Sequence, residues 1–119
     1  MHIPRKFALW TALTIAAAIV APAAEVEGIL IDKMCSAKAV KDGQKAADMH
    51  TRECALMPNC AGSGYGVYTK EGRYITFDEA GNKKAEEALQ SSKKKDNLRV
   101  KVTGEQSGDT IRVVNLKLL

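Results

Sequence analysis

Between Met34 and Cys60 the chain gathers every one of its three cysteines, three of its four methionines and one of its two histidines. The set reads Met34-Cys35, Met49-His50, Cys54, Met57 and Cys60, and the only other histidine is His2. Thiolate, thioether and imidazole are the soft and borderline donors that transition metals select. Cys35, His50, Cys54 and Cys60 make a Cys3His set, an accepted tetrahedral set for zinc, with Met57 as a further sulfur. A donor set this rich in sulfur also suits copper(I). The spacing Cys-x14-His-x3-Cys-x5-Cys matches no standard zinc finger. His50 and Cys54, four apart, face the same way if the segment is helical.

The same residues support a second reading. In an exported chain two of three cysteines commonly pair, leaving one thiol spare. A bridge from Cys54 to Cys60 would close a small loop at a helix end, whereas one from Cys35 to either would tie the insertion to the barrel, and its longer closed loop restricts the unfolded chain more. Both readings stay open on sequence alone. A haem is the poorer fit: there is no Cys-x-x-Cys-His, and few aromatic residues are available to enclose the ring. Thiol–disulfide exchange lacks a Cys-x-x-Cys and a helix N-terminus to lower a thiol pKa. No carboxylate dyad stands out, and with one histidine after residue 23 no Ser-His-Asp set can be argued, so the chain reads as a binding protein rather than an enzyme.

Export follows from the N-terminus. Arg5 and Lys6 precede an uncharged run from Phe7 to Val20, and Ala21-Pro22-Ala23 supplies the small residues that signal peptidase requires. Residues 1–23 are read as a signal peptide, with a periplasmic or secreted destination. The apolar run is shorter than the ~20 residues of a membrane-spanning helix, so no stable span is expected after cleavage. The remaining 24–119 make one small domain. Losing Arg5 and Lys6 takes two positive charges from the formal +4 and leaves +2, too weak a balance to favour a nucleic acid partner.

The elements that must position these residues can be read from periodicity. Val26–Ile31 is an apolar, β-branched run and the first strand. Residues 32–43 read as loop, and 44–57 as a single helix ended by Pro58-Asn59. Two strands, 66–69 and 73–78, form a hairpin about Lys70-Glu71-Gly72, with Ile75 and Phe77 on one face. An amphipathic helix spans 82–92. The strand 98–103 turns Leu98, Val100 and Val102 inward. In the last strand, 110–118, the apolar set shifts phase between Val113 and Val114, which predicts a β-bulge or a strand crossing between two sheet faces. Gly62-x-Gly64-x-Gly66 is read as a tight turn into a bent strand.

Five strands with a helix between the third and fourth is the order of the OB-fold, a Greek-key barrel. The fold expected is therefore mainly β with one or two helices: a five-stranded OB-like barrel with a helical insertion, 32–64, between strands 1 and 2. The tail, Val100-Lys101-Val102-Thr103-Gly104 followed by Ile111-Arg112-Val113, resembles the closing hairpin of small OB-fold-like domains of secreted bacterial proteins. The order Cys35, His50, Cys54, Cys60 is similar to an insertion in uncharacterised exported members of that group. The resemblance implies architecture and little about activity. Such barrels bind oligonucleotides or sugars across strands 2 and 3, which makes Tyr68 and Tyr74 candidate ligand-binding residues. The expected partner is a metal ion or, on the stapled reading, a protein, sugar or other component of the envelope.

Overall fold

The computed structural model describes residues 23–119, so the reading of residues 1–23 as a signal peptide lies, but for Ala23, outside the described residues. The strands are β1 (Ala23–Asp32), β2 (Tyr65–Tyr68), β3 (Tyr74–Phe77), β4 (Arg99–Ser107) and β5 (Thr110–Leu118). They close into a barrel in the order β1-β2-β3-β5-β4, with β4 pairing back onto β1. All pairings are antiparallel except β3 with β5, where Phe77 stands beside Ile111. This is the OB-like barrel expected from the order of elements. The helices number more than expected: four short ones, α1 (Lys33–Asp42), α2 (Gln44–Asp48), α3 (Arg52–Ala55) and α4 (Pro58–Gly62), lie between β1 and β2, and α5 (Glu79–Ser91) joins β3 to β4. No helix of the described residues is long and apolar enough to cross a membrane.

The strand β1 does most of the organising. Its first half pairs with β4, from Ala23 opposite Glu105 to Ile29 opposite Arg99, and its second half pairs with β2, from Ile29 opposite Tyr68 to Asp32 opposite Tyr65. A strand shared between two partners must bend where it passes from one to the other. Gly28 sits there, and a Cβ on it would collide with the Tyr68 carbonyl, so only glycine lets the two strands come this close.

The barrel interior holds Leu30, Val67, Ile75, Phe77, Val100, Val102, Ile111 and Val113, with Ala85 and Leu89 of α5 against them. The bulge lies where the phase shift placed it. Thr103 faces Asn115 while Gly104 faces Val113, so Val114 is the extra residue and points out, 71% exposed.

A second apolar layer lies outside the barrel. Ile29, Ile31 and Tyr68 pack against Ala39 of α1 and Ala47 of α2, with Cys35 and Tyr74 beside them. The end of β1 is thus buried on both faces, which is why it reads as an unbroken apolar run.

The insertion departs from the sequence reading in two places. Residues 33–42 form a helix rather than a loop, because Asp32 caps it: its carboxylate accepts a hydrogen bond from the Cys35 amide at 3.0 Å. The single helix expected over 44–57 is broken at 49–51. Thr51 caps α3 through the Cys54 amide at 3.1 Å, and Pro58 opens α4 at its first turn instead of ending a helix. Threonine at the cap and proline at the first position are strong start signals, and they outweigh the helix propensity of the residues between. The segment is anchored to the body by Arg52, whose guanidinium donates to the Leu89 and Gln90 carbonyls at the C-terminus of α5 (2.6 and 3.2 Å). It is pinned again by Tyr65, whose buried hydroxyl donates to the Ala55 carbonyl at 2.7 Å.

Candidate functional site

The cap that starts α1 also builds a polar cluster where β1 meets the insertion. Asp32 is fully buried. Its Oδ2 takes the Cys35 amide, and its Oδ1 lies 2.8 Å from Nε2 of His50, whose side chain is 10% exposed. The two atoms form a close imidazole–carboxylate pair, and neither has another partner among the described residues. The Cys35 sulfur completes the group: one donor atom each from Asp32, Cys35 and His50 lie within 4.8 Å of one another.

His50 reaches this position because the helix breaks beside it. It sits between α2 and α3, its amide bonded back to the Ala47 carbonyl at 3.2 Å, while Ala47 is buried against the barrel. Had residues 44–57 formed one helix, His50 and Cys54 would share a face. In the folded chain they do not share a helix, and Cys54 is exposed.

Electrostatics set the protonation of the group. Burial pushes the Cys35 thiol up to about 12, with the Asp32 charge and the neighbouring Cys60 adding to it. Burial and the Asp32 charge raise the Cys60 thiol as well. Burial works to raise the Asp32 carboxyl too, but the His50 imidazole and the Cys35 amide together hold it below its ordinary value. The thiols are therefore protonated at neutral pH, and only a cation close to Cys35 would make its thiolate stable.

The other sequence candidates fall at different distances from this centre. Cys60, in α4, is buried, neighbours Cys35, and has its sulfur 4.0 Å from that of Met34. Cys54 lines a pocket of about 550 Å3 that also exposes Cys35 and His50. Met57 is 52% exposed and belongs to neither buried cluster. All three cysteines are free thiols. Tyr68 is only 4% exposed, and Tyr74 donates its hydroxyl to the Ile31 carbonyl at 2.9 Å. Both lie under the insertion, which covers the barrel face where a stacking platform would stand.

Asp32 is the residue that sequence reasoning missed. Its signal was present as an acid three residues before Cys35 at the end of an apolar strand, the position of a helix cap. No protein family, curated protein or solved structure matches this chain.

Proposed function

We propose that this chain is a small exported metal-binding domain that holds a zinc-class divalent ion between Asp32, Cys35 and His50. The observation that carries the reading is the buried pair of Asp32 Oδ1 and His50 Nε2, with the Cys35 sulfur beside them. Neither atom has a partner beyond the other among the described residues, and a cation between them would be held by both. Carboxylate oxygen, imidazole nitrogen and thiolate sulfur are each zinc ligands. Donors at about 2.0–2.3 Å from a tetrahedral ion stand roughly 3.3–3.8 Å apart, so the trio needs only small side-chain rotations. A carboxylate in the set disfavours copper(I), which prefers sulfur throughout.

The three donors come from the end of β1, from α1 and from the α2–α3 link, so an ion would tie the insertion to the barrel. Binding then stabilises the fold in proportion to affinity and metal concentration. The role is non-catalytic on this reading: capture or storage of the ion outside the cytoplasm.

The test is a titration of reduced, metal-free protein with zinc, followed by elemental analysis and melting temperature. One equivalent retained with a raised Tm is expected, and His50→Ala should lose both. Full retention of zinc by the His50→Ala protein would sink the assignment.

A second reading has its own observation. Cys35 and Cys60 are neighbours, so an oxidised chain would pair these two and leave Cys54 spare. Mass spectrometry of protein exported to a periplasm separates them: a mass about two units lower without metal supports the bridge, and a zinc adduct on three reduced thiols supports the ion.

A further inference from the structure

Resting on the metal reading, the pocket beside the site adds a ligand to it. Two of the three donors, Cys35 and His50, line this cavity of about 550 Å3, while Asp32 stands buried behind them. Its remaining walls are of three kinds, the polar one being Thr51 and the exposed thiol of Cys54. Ile31, Ala39, Ala46 and Met49 are apolar, and Lys38, Asp42 and Lys45 are exposed and charged. A volume in the range of small-molecule sites, an apolar lining and a few convergent polar groups are the marks of a ligand cavity rather than of a closed structural metal site.

The donor count points the same way. Among the described residues the group within mutual reach is Asp32, Cys35 and His50, and structural zinc is almost always held by four protein ligands whereas three leave a position open. Charge then selects the occupant. A divalent ion is neutralised by the Asp32 carboxylate and the Cys35 thiolate, so a further anionic donor leaves one negative charge in excess. Lys38 and Lys45, with one of them balanced by Asp42, leave one positive charge in the pocket wall to offset it. The apolar residues have room for a short hydrocarbon stem.

We infer that the pocket binds a small organic anion, a thiolate or carboxylate on a short apolar stem, which completes the coordination of the ion held by Asp32, Cys35 and His50. Cys60 and Cys54 are the competing occupants of that fourth position, since Cys60 neighbours Cys35 from the α4 side and Cys54 lines the pocket itself.

The experiment uses the reduced chain loaded with cobalt(II), whose visible spectrum reports both thiolate ligation and coordination number. The probes are 3-mercaptopropionate and propionate, with bound cobalt measured after each titration. The expected result is a saturable spectral change with cobalt retained, produced by both probes if a carboxylate suffices and by the thiol alone if sulfur is required. Ala46→Trp, which fills the cavity, should leave the cobalt spectrum intact and abolish the response. The double variant Lys38→Ala/Lys45→Ala should weaken it about fivefold. The same response in Cys60→Ala and in Cys54→Ala excludes displacement of either thiol as its source and supports the open position.

A cobalt spectrum with thiolate bands that neither probe alters overturns the inference while the metal reading stands. So does a response unchanged in Ala46→Trp, or loss of cobalt to the probe. Failure to bind cobalt at all removes the metal reading and this inference together.

Discussion

Asp32 divides its carboxylate between two tasks: Oδ2 accepts the Cys35 amide at 3.0 Å and so starts α1, while Oδ1 pairs with His50 Nε2 at 2.8 Å and has no further partner among the described residues. The first task is structural and the second gathers the candidate ligands. Cap and candidate ligand share one residue, so substitutions at this position can separate them.

Asp32→Asn keeps an oxygen for the Cys35 amide and offers its NH2 to the imidazole. The metal-free variant should unfold in urea within about 0.5 kcal/mol of the parent, because asparagine caps as well as aspartate. Asp32→Ala should lose about 1 kcal/mol or more. Both should lose zinc, measured by elemental analysis after desalting. Equal zinc content in Asp32→Asn and the parent would remove Asp32 from the ligand set.

Tyr65 holds the insertion by a buried hydrogen bond to the Ala55 carbonyl at 2.7 Å, and Tyr74 ties β3 to β1 by a part-buried one to the Ile31 carbonyl at 2.9 Å. Phenylalanine at either position preserves the ring and leaves a carbonyl without its partner. Each change should cost about 1–2 kcal/mol in urea unfolding. A change below the error of the measurement in Tyr65→Phe would mean that Arg52 and the apolar contacts hold the insertion without this bond.

Stability should fall at both ends of the pH scale. Burial raises Cys35 from an ordinary 9.0 to about 12 and Tyr65 from 10.0 to about 12, and it raises Tyr74 also. Above pH 9 the unfolded chain loses these protons before the folded one, so stability is full below that value and declines as pH rises toward 12. The Asp32 carboxyl is lowered from 3.8, so its contribution is present above about pH 4 and is lost as pH falls through the folded value. Urea midpoints of the metal-free protein against pH check both limbs. Tyr65→Phe should make the alkaline limb shallower, and an unchanged slope would contradict its assignment.

Gly28→Ala places a methyl group against the Tyr68 carbonyl where β1 changes partners. Backbone on both sides cannot yield as a side chain would, so a loss of about 3 kcal/mol is expected by thermal or urea unfolding. A near-neutral variant would show that the barrel can open at this seam.

Much of this architecture was legible in the order of its residues. The alternation of Ile75 and Phe77 with Tyr74 and Thr76, and of Val100 and Val102 with Arg99 and Lys101, determined which side of each strand faces the barrel interior, because side-chain direction repeats every two residues. The phase shift after Val113 determined that the strand is irregular there, by a bulge or a crossing between sheet faces, and the register against β4 shows the bulge. The concentration of cysteine, histidine and methionine determined the segment in which to look. Which of those residues meet was decided by tertiary structure. Asp32 joined the group and Cys54 and Met57 left it because Thr51 and Pro58 break the insertion into short helices whose directions are set by docking, through Ala39, Ala47 and Arg52, against β1 and α5. Local sequence carries the caps that permit such breaks. It does not carry the angle at which each piece comes to rest, because that angle follows from burying apolar surface against residues distant in the chain.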